Sequence, residues 1–232
     1  MIVHTAVDAK YCKTFLPTFV TNTRQFMPGT LISLALVDRQ LDLQGVSVDI
    51  VYHDAQNIDD IKKNFALTDH DQVLSYYGLS RFCWLPITEH NVMIRDVDTL
   101  AVRDIDVAML DQMLQQHDVV NLVRKKYNDS TGGLGAIVLS SRICSQVKNF
   151  ANKLCQGKTL YWPIDEEIKF YCQENFDYTE IECYDNLDSH DCNFDHAWIL
   201  HAETFPHFSD LGITLKHRSF ERIKRLYQPD SQ

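Results

Sequence analysis

The sequence predicts an α/β fold: one domain over residues 1–232, with a mostly parallel central sheet flanked by helices. Three observations predict it. The chain opens strand–helix–strand, with apolar residues 2–7 and 30–37 on either side of an amphipathic segment. Strand-like and helical patterns then alternate along the chain, without repeats, low-complexity tracts or a linker-like stretch. Finally, the apolar run 92–94 leads into Asp96-Val97-Asp98, and a second apolar run comes after it. Open α/β sheets bind ligands at the carboxyl ends of their strands, which makes an acidic pair there a candidate site. A chain of 232 residues is long enough for one large α/β core.

Residues 2–7 make the first strand, and Asp8 can cap a helix or turn after it. Across residues 11–26, Tyr11, Phe15 and Phe19, and likewise Cys12, Leu16 and Val20, recur every four positions, a helical spacing. Pro17 fits if the helix proper begins near Thr14, with the proline in its first turn. Pro28-Gly29 ends it. The 30–37 strand is rich enough in Leu and Ile for burial on both faces, and residues 46–52 make a third strand. Residues 59–67 read as a short helix with Ile61 and Phe65 inward, and residues 71–82 as another, carrying Tyr76, Tyr77, Leu79 and Arg81. After the acidic strand come a helix over 104–116 and a strand over 119–123. Residues 125–133 are polar and end in Ser130-Thr131-Gly132-Gly133, the composition of a loop. Residues 136–139 are a strand, and 141–155 and 164–174 are helices. Residues 178–183 are a strand that stops where the chain turns polar at Asp185-Asn186. A last strand covers 197–201 and a basic helix 218–227.

Several classes are excluded or disfavoured. No G-x-G-x-x-G turn comes after the first strand, which ends Thr5-Ala6-Val7-Asp8, and no P-loop is present. The net charge of −10 disfavours a surface that grips nucleic acid. The N-terminus has no basic leader, and no apolar run reaches about 18 residues, so no membrane span is expected. The seven cysteines are scattered, with no CxxC pair, which points to reduced, mostly buried thiols in a cytoplasmic protein.

The acidic pair carries the chemistry. Alternate residues of an extended segment point the same way, so the Asp96 and Asp98 carboxylates are expected to converge. Two convergent carboxylates suit a hard divalent cation, Mn²⁺ or Mg²⁺, carrying phosphate oxygens.

Three motifs stand in a telling order: Tyr76-Tyr77 and Arg81-Phe82 on a helix, then Arg95-Asp96-Val97-Asp98-Thr99-Leu100, then Ile199-Leu200-His201 followed by Lys216. Together with the N-terminal strand–helix–strand they resemble the GT-A glycosyltransferases of family 8, the glycogenin-like and galactosyltransferase-like group, whose DxD motif the aspartate pair looks like. The resemblance spans residues 2–216. The chain departs from the family pattern in three places. The small-residue loop reads Gly132-Gly133-Leu134-Gly135 and lacks the usual Asn, the helix start that is often Asp-Gln reads Asp165-Glu166, and the terminal segment lacks the usual His-Phe and Lys-Pro-Trp pairings.

The resemblance implies a GT-A-like domain that moves a sugar from a nucleoside-diphosphate donor, a UDP-sugar foremost, to a hydroxyl acceptor. It implies retention of anomeric configuration, with the departing diphosphate assisting. Asp96, Asp98 and His201 would hold the metal, with Asp96 also facing the donor. Thr5, Ala6 and Asp8 would line base and ribose. Arg81 and Lys216 would meet phosphate or sugar oxygens, and Gly133, beside Gly132, would allow the sugar to approach. Asp165 and Glu166 would orient the sugar or acceptor, or act as a base. Each has a plainer reading: turn acids, a strand-end histidine, a surface arginine paired to an acid, a solvated lysine, or acids at a helix start. Two other functions stay open. One is a haloacid-dehalogenase-like phosphatase, whose DxDGT motif needs a Gly absent here and a place on the first strand. The other is a non-catalytic binding protein on a degenerate transferase fold.

Overall fold

The computed structural model describes residues 1–37, 43, 45–53, 70–123, 136–156, 164–186, 197–201, 218 and 221. Strand β1 (Ile2–Val7) leads through helices α1 (Ala9–Thr14) and α2 (Leu16–Phe26) to β2 (Leu31–Leu36), and β3 (Ile50–His53) comes next. Helix α3 (His70–Cys83) precedes β4 (Val92–Arg95) and β5 (Thr99–Ala101). Helix α4 (Val107–Gln116), β6 (Val119–Val123), β7 (Ala136–Leu139) and helix α5 (Cys144–Gln156) continue the chain. Helix α6 (Glu166–Asn175), β8 (Tyr178–Glu182), β9 (Tyr184–Asn186) and β10 (Ile199–His201) complete the order.

Seven strands form the main sheet in the order β3-β2-β1-β4-β7-β6-β8. All pairings are parallel except the two that β7 makes with β4 and β6, so β7 alone runs backwards among the described strands of this sheet. A mostly parallel sheet must be covered on both faces, and this one is. Along β4, Met93 enters one apolar cluster with Phe19 of α2 and Leu110 of α4, while Val92 and Ile94 enter a second with Phe82 of α3, Val147 of α5 and Ile168 of α6. Side chains alternate across a strand, so one four-residue strand serves both cores.

The expected mixed α/β sheet is therefore present, and most differences have local causes. The 11–26 helix is two helices. Asp8 caps the first through the Tyr11 amide at 2.8 Å, and Pro17, with no N–H to donate, sits in the first turn of the second. The 104–116 helix begins later, at Val107, because the Asp106 side chain takes the Met109 amide at 2.9 Å and acts as its cap. Similarly, 141–155 begins at Cys144 and 164–174 at Glu166. The third strand is displaced from 46–52 to Ile50–His53. Polar Asp185-Asn186 does not end strand structure: β9 begins at Tyr184 and pairs parallel with β10. The expected 59–67 helix and 125–133 loop lie outside the described residues, as does most of the 218–227 helix.

A small second sheet, β5-β10-β9, stands apart from the main one. Strand β10 runs antiparallel to β5, with His201 opposite Thr99 and Leu200 opposite Leu100. This pairing carries residues about a hundred positions apart in the sequence to the carboxyl end of β4.

Candidate functional site

The Asp96-Val97-Asp98 segment is not extended. The Asp96 carbonyl accepts both the Thr99 amide at 3.1 Å and the Thr99 hydroxyl at 2.6 Å, closing a tight turn between β4 and β5. Val97 is buried in the core cluster beneath. The carboxylates therefore converge through a turn anchored by a buried valine, and not through strand alternation.

His201 completes a triad. Its Nε2 lies 3.2 Å from Asp98 Oδ1. One ligand atom from each of Asp96, Asp98 and His201 falls within 4.8 Å of the others. Ligands at about 2.1 Å from one ion stand at most about 4.2 Å apart, so small side-chain movements bring these atoms onto a common centre. Two carboxylates and an imidazole form a donor set that suits Mn²⁺, and Mg²⁺ less closely.

Arg81, on the last turn of α3, ties this turn to a distant element. One guanidinium nitrogen donates to Asp96 Oδ1, and the other donates to Asp165 Oδ2 at 2.7 Å. Arg81 and Asp165 are both buried, whereas the Asp96 side chain is 29% exposed. Asp165 immediately precedes α6 but makes no side-chain capping bond to it. Asp165 thus stands at the helix start, as its plainer reading has it, and is also held in an ion pair with Arg81. Asp165 Oδ1 and Arg81 Nε remain buried without a hydrogen-bond partner among the described residues. Buried polar atoms rarely stay unsatisfied. Glu166, next in the chain, has its carboxyl pKa raised, first by burial and then by the neighbouring Asp165 charge.

A second arginine supports the turn from within. Arg95 is fully buried. Its Nε donates to Thr99 Oγ1 at 3.3 Å, one terminal nitrogen donates to Thr99 O at 3.2 Å and to Asn22 Oδ1 at 3.5 Å, and its plane lies 5.0 Å over the Phe19 ring. Asn22 in turn takes the Ala101 amide and donates to the Ala101 carbonyl, both at 2.8 Å, so it clamps β5. Burial pulls the Arg95 pKa down to about 10.

The remaining expected residues divide. Thr5 and Ala6 come after His4, which pairs with Ile94, so they leave the β1–β4 pairing at the edge where Asp96 begins. Thr5 is buried and Ala6 half-buried. Asp8 serves as the α1 cap, and its plainer reading accounts for the oxygen that meets Tyr11. Gly132, Gly133 and Lys216 lie outside the described residues. The sequence motifs did not single out Asn22 or the supporting role of Arg95. A lone Asn within a helix carries no signal, and an Arg beside two aspartates reads as their ion-pair partner.

No family model matches the chain, and no curated protein sequence does. Solved structures do. An active-site mutant of LgtC superposes with a TM-score of 0.54 at 12% identity, over 100% of this chain and 98% of that one. The galactosyltransferase LgtC in complex with donor and acceptor sugar analogues gives 0.51 at 11% identity, over 100% and 98%. The bifunctional glycosyltransferase WbbM gives 0.53 at 12% identity, over 97% of this chain and 51% of that one. The fold is GT-A-like. At such identity the likeness is one of architecture.

Proposed function

We propose that this protein is a metal-dependent glycosyltransferase. It moves a sugar from a nucleoside-diphosphate donor, a UDP-sugar foremost, to a hydroxyl acceptor, with retention of configuration. Residues 1–232 act as one catalytic domain in the cytoplasm. Among the described residues no helix is long and apolar enough to cross a membrane. The observation that carries the reading is the meeting of Asp96, Asp98 and His201 with the Arg81–Asp165 pair at one sheet edge. LgtC, of the same architecture, has been solved with donor and acceptor sugar analogues, which adds support.

Asp96, Asp98 and His201 would hold Mn²⁺ or Mg²⁺, which when bound offsets the charge that develops on a departing diphosphate. The other residues bind and orient. Arg81 presents a planar cation beside the metal ligands, suited to phosphate or sugar oxygens. Asp165 keeps one buried carboxylate oxygen available to accept from a sugar hydroxyl. Glu166, its carboxyl pKa raised by its surroundings, orients the sugar or takes a proton. Thr5 and Ala6 line the approach for base and ribose, with Gly133 and Lys216 completing the donor site. A haloacid-dehalogenase-like phosphatase gains no support, since the aspartates come after the fourth strand and lie in a turn closed by Thr99.

The test is a thermal-shift panel of UDP-, GDP-, ADP- and CMP-sugars, with and without Mn²⁺, on wild type and Asp98→Asn. A ligand at about a hundred times its Kd adds about 2.7 kcal/mol. Stabilisation by one nucleotide sugar that needs Mn²⁺ and vanishes in Asp98→Asn is the expected result. A flat panel would sink the transferase reading and leave the degenerate scaffold in its place.

A further inference from the structure

A pair of thiols lies away from the acidic site. Cys83, at the C-terminal end of α3, and Cys155, near the end of α5, are 72 residues apart in the sequence, yet their sulfurs stand 3.2 Å apart. Neither is in a disulfide; Cys155 is buried and Cys83 half-buried. The helices that carry them pack on the same face of the main sheet. The contact therefore belongs to the folded core and not to a surface excursion. Lys148 lies on the same face of α5, seven residues before Cys155, and its ammonium donates to the Leu85 carbonyl at 3.2 Å, two residues beyond Cys83. Burial lowers the Lys148 pKa, and its interaction with Cys83 opposes that shift. The other described cysteines, Cys12, Cys144, Cys172 and Cys183, are buried.

We infer that Cys83 and Cys155 form a reversible intrachain disulfide when the protein meets a low-molecular-weight disulfide oxidant. Cys83 is the accessible partner and attacks first. Its thiolate displaces one thiolate from the oxidant RSSR, giving Cys83–S–S–R. Cys155 then loses its proton and attacks the Cys83 sulfur, releasing the second RS⁻. Two protein thiols are oxidised, one small disulfide is reduced to two thiols, and no other electron acceptor is needed. The product straps α3 to α5 two residues beyond Arg81. The scattered spacing gave no hint of this pair, because only the fold brings the two positions together. The disulfide does not depend on the transferase reading and is tested apart from it.

The experiment treats the native protein with oxidised glutathione, quenches in acid, alkylates the remaining thiols and maps the peptides by mass spectrometry. The expected result is a loss of two thiols with no glutathione left attached to the protein, one cross-linked peptide joining residues 83 and 155, and full return of both thiols with dithiothreitol. Cys155→Ser is expected to stop at a glutathione adduct on Cys83, and Cys83→Ser to leave Cys155 unmodified. Retention of all seven thiols, closure through another pair, or a stable Cys83 adduct in wild type would each overturn the inference. Folding of the serine variants is read by circular dichroism, and the wild-type mapping decides the matter even if a variant misfolds.

Discussion

Two buried arginines serve the Asp96–Thr99 turn, and they keep opposite company. Arg81 faces carboxylates on both sides, Asp96 and Asp165. The described partners of Arg95 are a carbonyl, a hydroxyl, an amide oxygen, a sulfur and an aromatic ring, with no carboxylate among them. The difference separates the candidate site from its scaffold. Arg81 is charge-matched and keeps a buried nitrogen without a partner among the described residues. Arg95 spends its donors on shaping the backbone that presents Asp96 and Asp98. A buried cation surrounded by neutral groups bears a desolvation cost, and here that cost maintains the geometry of the turn.

The largest effect is expected at Arg81. Arg81→Ala leaves Asp165 buried without its cation, and losing one partner of a buried pair costs about 3–5 kcal/mol. Urea unfolding of the variant should show that loss, and Arg81→Lys should recover part of it. A cost under about 1 kcal/mol would mean that the pair is solvated and the site open.

The next effect belongs to another buried base in the same core. His4 shares a hydrogen bond with Ser33 at 2.9 Å, and burial, the largest cause, holds its pKa down to about 3. The unfolded chain binds this proton below about pH 6.5 and the folded chain does not, so stability falls as pH drops through that window. At one pKa unit per 1.36 kcal/mol, His4 alone removes about 2 kcal/mol between about pH 7 and pH 5. Unfolding curves at the two pH values, in wild type and His4→Gln, should show the variant losing less. Equal losses would mean that His4 is not the source.

Arg95→Met is expected to cost less than Arg81→Ala, about 1–2 kcal/mol, because Thr99 loses its donors but the buried charge is removed as well. Its larger signature should be in Mn²⁺ affinity, through a loosened turn, while circular dichroism stays native. Smallest is Thr99→Val, which removes the hydroxyl bond to the Asp96 carbonyl and the acceptor of the long 3.3 Å bond from Arg95 Nε, while retaining the backbone bond. About 1 kcal/mol is expected by thermal unfolding.

The same two arginines mark how far the sequence could be read. The frame was legible: the apolar runs at 2–7, 92–94, 119–123 and 136–139 are all strands of the main sheet, because central strands must be apolar throughout. The direction of β7 was not, since parallel and antiparallel buried strands have the same composition. Strand β9 was hidden because Asp185 and Asn186 read as turn residues, and only pairing with β10 makes them a strand. At the site, Asp96, Asp98, Arg81, Asp165 and His201 were each legible as residue types suited to an anionic ligand and a cation. Their mutual contacts were not, because these depend on register between β5 and β10 and on where α6 begins. Arg95 shows the limit most clearly: its charge suggests the surface, and only the packing against Phe19, Asn22 and Thr99 puts it inside.

Whether Asp96, Asp98 and His201 form one metal centre is tested most directly by calorimetric titration of Mn²⁺ into the protein, with and without UDP. The expected result is one ion per chain, bound more tightly with UDP, weakened in His201→Ala and lost in Asp98→Asn. Saturable Mn²⁺ binding that survives unchanged in Asp98→Asn, or no binding in wild type under either condition, would contradict it.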